Sequence, residues 1–176
     1  MSGALDRVEP REHAADVPAV YLAIGRELKR YVRSLVPDDE TADDVVQEAF
    51  LRLVHEIAAK GGPNEVRPWL YRVAGNLARS RSRRARIAER WNRLFAAHGV
   101  HPSPDDTAIR REDHERIDRA LRCLSTEARS AFLLSADGFT GLEIADILGR
   151  SHGATRTILW RARLALREAL DAEADR

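Results

Sequence analysis

The segment from Thr140 to Leu166 constrains the fold of this chain more than any other part of the sequence. Thr140 and Glu143 have the spacing of a capping box, in which the hydroxyl bonds the third helical N–H and the carboxylate reaches back to the cap. Gly149 then ends the helix, because a residue without Cβ adopts a left-handed conformation at little cost, and Ser151 can cap a second helix. Helix, short glycine turn and helix form the geometry that places a recognition helix in the major groove.

The rest of the sequence also has helical periodicity, and no convincing pair of strands is found. Asp16 is predicted to cap a first helix and Thr41 a second one, and a further helix is predicted from Trp69 to about Phe95. The second helix carries a one-sided apolar stripe, made of Val45, Val46, Ala49, Phe50, Leu53, Val54 and Ile57. We therefore predict an all-α fold of two small helical domains, a bundle and a helix-turn-helix domain.

The domain boundaries follow from the breaks in this pattern. Gly99, Pro102 and Pro104 lie in a stretch without apolar periodicity, which predicts a flexible linker. The expected division is a tail at 1–15, a first domain at 16–95, the linker at 96–108, a second domain at 109–172 and a short tail at 173–176. Cys123 is the single cysteine, so it has no intramolecular disulfide partner, and its apolar neighbours predict a small core residue.

The charges are strongly segregated, although the formal net charge is only +1. The stretch 69–98 holds 8 basic and 1 acidic side chains, whereas acids crowd the start of the second predicted helix. Aromatic and basic residues interleave from Pro68 to Arg84, which suits opened, single-stranded nucleic acid because a flipped base offers a π-face for stacking. The acidic helix would repel DNA, so its exposed face suits a basic protein partner. With no apolar run or leader peptide in view, a cytoplasmic protein is expected.

Three segments together resemble the group 4, or extracytoplasmic function (ECF), sigma factors of bacterial RNA polymerase. Asp43–Leu53 resembles region 2.2 of that family, Trp69–Ala78 resembles region 2.3 leading into 2.4, and Leu124–Leu166 resembles region 4. The resemblance covers about Val17 to Leu170. It implies a protein that is not an enzyme, that needs no cofactor or metal, and that binds core RNA polymerase and promoter DNA. It also implies an anti-sigma partner.

The resemblance assigns roles to individual residues. Docking on the clamp helices of the largest polymerase subunit is implied for Asp43, Asp44, Gln47, Glu48 and Leu51. Contact with the −10 element, including a base flipped into a pocket, is implied for Asn64, Arg67, Trp69, Arg72, Asn76, Arg79, Arg81, Arg83 and Arg84. Contact with the −35 duplex is implied for Ser151, His152, Ala154, Thr155, Arg156 and Arg161. The apolar surface of the second domain is implied to engage the polymerase flap.

Two features of the sequence depart from the family pattern. Ser80 stands where an aspartate commonly follows the Asn-Leu-Ala-x run, and Ile158 and Trp160 replace polar residues of the recognition helix, which suggests a different −35 readout. The alternative interpretation is a stand-alone helix-turn-helix regulator that binds duplex DNA without polymerase. Such a regulator needs neither the acidic helix nor the Trp69–Arg84 helix. An enzyme is a third class, and the sequence has no nucleophile or metal motif that would support it.

Overall fold

A computed structural model describes the backbone of residues 16–95 and 119–174, and the side chains of residues 16–85 and 119–171. Its helices are α1 (Val17–Arg33), α2 (Asp39–Lys60), α3 (Val66–Phe95), α4 (Thr126–Ala136), α5 (Gly141–Leu148) and α6 (His152–Ala174). Residues 119–122 are also helical, and the described residues contain no strand. The predicted all-α fold is confirmed. The N-terminal tail, the linker at 96–108 and the start of the second domain lie outside the described residues.

The first two helices begin at aspartate caps. The Asp16 side chain accepts a hydrogen bond from the Ala19 N–H, as expected. At α2 the prediction was wrong, because the cap is Asp38 and not Thr41: the Asp38 carboxylate accepts from the Thr41 N–H at 2.7 Å. That bond holds the pKa of the Asp38 carboxyl below its ordinary value. Negative charge at this end also complements the helix dipole.

Helices α1, α2 and α3 form the first bundle around fully buried apolar side chains. Leu28 and Val32 of α1 meet the stripe of α2, including Val45 and Leu53, and Leu70 of α3 closes the core. Burial of these side chains is the main source of stability for such a bundle, at about 1.5–3 kcal/mol per large aliphatic group.

The second domain holds the helix-turn-helix that the sequence predicts. The capping box is complete, since the Glu143 carboxylate accepts from the Thr140 N–H at 2.6 Å and the Thr140 hydroxyl accepts from the Glu143 N–H. Gly149 ends α5 with φ of 64°, and the Ser151 hydroxyl accepts from the Ala154 N–H at the start of α6. Cys123 is exposed, so its prediction as a core residue was wrong.

The two domains pack directly against each other. The Tyr71 ring contacts the Tyr31 ring at 5.1 Å between centroids and the Phe139 ring at 4.8 Å. The hydroxyls of Tyr31 and Ser130 share a hydrogen bond of 2.5 Å, and both residues are at most 1% exposed. One hydrophobic core therefore continues from α1 and α3 into α4 and α5.

Candidate functional site

The acidic face of α2 is exposed, and each of its predicted polymerase-binding acids has an internal ion-pair partner. Lys29 lies 2.6 Å from Asp43, Arg81 lies 3.7 Å from Asp44, and Arg52 lies 2.9 Å from Glu48. The hydrogen bond that the Lys29 ammonium donates to Asp43 raises the pKa of Lys29 above its ordinary value. Exposed pairs of this kind contribute only about 0–1 kcal/mol, so a basic partner can displace them at little cost.

An apolar groove runs beside this acidic face. Leu51 is 52% exposed and Val54 is 47% exposed. The Tyr21 ring of α1 also lines the groove and packs edge-to-face with the Phe50 ring, with 5.1 Å between the two ring centroids. The sequence prediction identified Leu51 but missed Tyr21. The signal that could have found it is the position of Tyr21 next to, and not on, the apolar stripe of α1. An apolar groove beside an acidic face suits a helical partner with basic and aliphatic side chains.

The basic face of α3 is less uniform than the sequence predicts. Arg83, Arg84 and Asn76 are exposed to solvent. The Arg79 guanidinium instead turns inward, where its Nη2 donates to the Asn76 side-chain oxygen at 2.6 Å and its Nη1 is buried without a hydrogen-bond partner. Arg81 donates to the Thr41 backbone oxygen at 3.3 Å.

These contacts show that two of the arginines predicted to contact DNA also have partners within the bundle. Arg79 is half-buried and its Nη1 has no access to solvent, so only part of its guanidinium is open to a strand backbone. Arg79 orients Asn76, and Arg81 ties α3 to the start of α2. Gly75 allows the close approach of α1, since a Cβ there would lie 2.8 Å from the Tyr31 hydroxyl and 3.6 Å from Arg79 Nη1.

Two of the arginines expected on the −10 element are bonded to the second domain. Arg67 Nη2 donates to the Asp137 backbone oxygen at 2.9 Å, and its guanidinium lies 4.4 Å from the centre of the Phe139 ring. Arg72 forms an ion pair with Asp146 of α5 at 2.9 Å. Asn64 is exposed, and Trp69 is half-buried against the bundle core. Burial at this junction raises the pKa of the Asp137 carboxyl, although Arg30 at 3.8 Å opposes that shift.

The recognition helix α6 presents most of its predicted DNA-facing residues to solvent. The exposed members are Ser151, His152, Ala154, Arg156 and Arg161. The predicted contact of Thr155 with the −35 duplex was wrong, because its side chain is fully buried and its hydroxyl has no hydrogen-bond partner. Thr155 lies on the buried side of α6 and cannot contact a base edge while the domain is folded. Trp160, one of the departures from the family pattern, is 63% exposed.

The start of α5 and the start of α6 meet at a glycine. A Cβ on Gly141 would lie 3.1 Å from His152 Nε2, so the imidazole lies against the first turn of α5.

Within residues 16–95 and 119–174, no group of three or more His, Cys, Asp or Glu side chains is arranged to hold a metal ion. A search of the same residues found no helix with the length and apolar character needed to span a membrane.

Comparison with known families agrees with these two domains. Residues 20–87 match the family model for sigma-70 region 2, and residues 114–166 match the model for sigma-70 region 4. The sigma factor CnrH of Cupriavidus metallidurans is 30% identical over 162 residues, covering 86% of this chain and 85% of CnrH. The ECF sigma factor SigM of Mycobacterium tuberculosis is 30% identical over 146 residues, covering 82% and 72%. The chain spans only 37% of the length of another relative, the probable sigma factor RfaY of Xanthomonas campestris, at 32% identity.

Two solved structures have the same architecture. One is the sigma factor RpoE in complex with the anti-sigma factor NepR from Bartonella quintana, with a TM-score of 0.69, 25% identity, and coverage of 89% of this chain and 97% of that one. The other is CnrH in complex with the cytosolic domain of CnrY, with a TM-score of 0.65, 27% identity, and coverage of 89% and 88%.

A region 2 bundle followed by a region 4 helix-turn-helix defines the class of transcription initiation factors that act with bacterial RNA polymerase. The chain belongs to the ECF sigma factors of the sigma-70 family. The family resemblance seen in the sequence is thereby confirmed, and the stand-alone regulator is not favoured. From here on, the first domain is called region 2 and the second region 4.

Proposed function

We propose that this chain binds core RNA polymerase, directs it to promoters with matching −10 and −35 elements, and assists strand opening there. It acts in the cytoplasm and catalyses no covalent reaction itself. The observation that carries this proposal is the pair of oppositely charged surfaces on region 2. The acidic face of α2, with its apolar groove, suits a protein, and the basic face of α3 suits nucleic acid, so one small bundle can join the two.

Strand opening needs binding energy and no chemical step. Unstacking a base costs a few kcal/mol, and that cost is offset when the extruded base is held by region 2. In this proposal Trp69 and Asn76 lie beside the base, with Asn76 oriented by Arg79, while Arg83 and Arg84 contact phosphates. Arg67, Arg72 and Asn64 complete the −10 surface when region 4 does not cover it. Each phosphate contact adds a salt-dependent contribution to affinity through counterion release.

Region 4 supplies the contact with the −35 duplex. Ser151, His152, Ala154 and Arg156 occupy the exposed first turns of α6, where a recognition helix meets base edges, and Arg161 is better placed for phosphate. An anti-sigma partner is part of the proposal, because RpoE was solved in complex with the anti-sigma factor NepR and CnrH in complex with the cytosolic domain of CnrY.

The test is transcription by core polymerase on genomic fragments, with start sites mapped with and without the purified chain. New start sites are expected only when the chain is present. The absence of any new start site, together with tight duplex binding by the chain alone, would favour a stand-alone regulator.

The polymerase contact is tested by reversing two charges of the acidic face. Asp44→Arg with Glu48→Arg should weaken core binding by at least about tenfold, since like charges replace attraction at a basic partner surface. The matched control is Glu168→Arg with Asp171→Arg, an equal charge change at two exposed positions of α6. Equal core affinity of the two variants would remove α2 from the polymerase interface.

A further inference from the structure

Region 4 lies on part of the surface that region 2 needs for the −10 element. Three groups of α5 and the turn before it cover this surface. Asp146 forms an ion pair with Arg72, and the Asp137 backbone oxygen accepts a hydrogen bond from Arg67. The Phe139 ring packs against Arg67 and Tyr71. These groups imitate what promoter DNA would offer an arginine, since an anionic oxygen, a carbonyl oxygen and an aromatic face stand where a phosphate, a base edge and a base ring would bind.

The contact is held in place by buried interactions outside the DNA-binding residues. The Tyr31–Ser130 hydrogen bond is buried, and Arg129 Nη1 donates to the Ser34 backbone oxygen at 2.8 Å. Phe139 is only 6% exposed and belongs to the core shared by the two domains. A contact with a continuous apolar core and buried hydrogen bonds persists in solution more readily than a set of surface ion pairs.

We propose that region 4 of this chain acts as an internal competitor for the −10 surface, so that the free protein is closed and region 2 reads DNA only after region 4 moves away. The competition is one-sided. The exposed residues at the start of α6 stay open to solvent in the closed form, so binding of duplex by region 4 does not require opening. This inference rests on the proposed function, because it assigns Arg67 and Arg72 to DNA.

Asp146 is the residue to change, because it is exposed, lies on α5, and has no part in the proposed DNA or polymerase contacts. Asp146→Arg turns the attraction to Arg72 into repulsion, and Asp146→Asn only removes the attraction. Asp171→Arg is the matched control: it makes the same charge change on an exposed position of α6, away from region 2. Any general gain in DNA affinity from added positive charge appears in the control as well.

The first readout is the distance between the domains. Cys123 is exposed and is the only cysteine, and His55 of α2 is exposed, so the full-length His55→Cys chain carries two label sites, one per domain. Energy transfer between dyes at these sites should show a short-distance population in the otherwise unchanged chain. Asp146→Arg should shift that population to longer distances, Asp146→Asn should give a smaller shift, and Asp171→Arg should give none.

The second readout is affinity for a mixed-sequence single strand of about 20 nucleotides, long enough to cover one binding groove. Asp146→Arg should bind it about three- to tenfold more tightly than Asp171→Arg, because the covered surface is released. Both variants should bind random duplex equally. Equal single-strand affinity of the two variants, or the absence of a short-distance population, would overturn the inference.

The same variants separate this inference from the proposed function. If core polymerase starts transcripts with the wild-type chain while the label distance is long in every variant, the closed state is refuted and the function stands. If the distance shifts as expected but no variant directs a start site, the proposed function fails and the contact between the domains remains.

Discussion

The hydrogen bond between Tyr31 and Ser130 provides the sharpest test of the packing between the domains. The two hydroxyls are 2.5 Å apart, with Tyr31 at 1% and Ser130 at 0% exposure. Burial raises the pKa of Tyr31, so its hydroxyl stays protonated at neutral pH. Tyr31→Phe leaves the Ser130 hydroxyl without this partner, and Ser130→Ala does the same to Tyr31. Each change should cost about 1–3 kcal/mol, the penalty for an unpaired buried polar group.

The double variant should cost less than the sum of the two single changes, because it leaves neither hydroxyl unpaired. A coupling energy of about 1–2 kcal/mol is expected, within the range measured for residues in contact. For a chain of this size, 1 kcal/mol corresponds to about 2–4 °C in melting temperature. The assay is thermal and urea unfolding of the four proteins of the cycle, followed by circular dichroism.

Two control variants remove the same kinds of hydroxyl from positions that are exposed or only half-buried. Tyr21→Phe removes a hydroxyl from a half-exposed ring, and Ser135→Ala removes one that only accepts a bond of 3.3 Å from Arg163. Both should stay within about 0.5 kcal/mol of the wild type, as is usual for surface changes. If Tyr31→Phe and Ser130→Ala were equally mild, both hydroxyls would be hydrated in solution, and the reasoning about a shared core would be refuted.

The remaining predictions concern region 4. Thr155→Val should be neutral or should raise the free energy of unfolding in urea by about 1 kcal/mol, because it removes a buried hydroxyl without a partner. It should leave the affinity for the −35 duplex unchanged, and a loss of that affinity would contradict the buried placement. Gly149→Ala should cost about 1–2 kcal/mol, since φ is 64° there and nothing near the new Cβ adds a clash, whereas Gly149→Asn should cost less. The bonds from Thr140 hold the pKa of the Glu143 carboxyl below its ordinary value. Glu143 therefore contributes its stabilisation in full above the ordinary glutamate pKa of about 4.3 and loses it as the pH falls through the lowered pKa. Thr140→Ala should flatten the pH dependence of the unfolding midpoint in that window.

The local structure of region 4 could be predicted from the sequence because its signals are local. A capping box needs only residues three apart, and a left-handed cap needs only a glycine, so Thr140, Glu143 and Gly149 could be assigned without knowing what surrounds them. The same is true of the stripe on α2, whose spacing alone identifies the buried face. The cap of α2 shows the limit of such signals, because Asp38 and Thr41 both have the chemistry of a cap and only the backbone geometry decides between them.

The candidate surfaces were predictable as patches of charge, but not residue by residue. Arg79, Arg81 and Arg83 read as equal members of one basic run. In the structure Arg79 lies inward beside Gly75, Arg81 bonds the backbone of α2, and Arg83 is exposed, because successive positions on a helix face different neighbours.

The sequence by itself determined the helical fold, the helix-turn-helix, the opposed charges of α2 and α3 and the family. The fold, the helix-turn-helix and the charges follow from periodicity, capping and composition, which act over a few residues, and the family follows from the resemblance of three segments to sigma factors. Only the tertiary structure decided that Thr155 is buried and that Arg67 and Arg72 meet Asp137, Phe139 and Asp146. Those contacts join residues more than 65 positions apart, and they depend on how two preformed domains fit together, which no local pattern encodes.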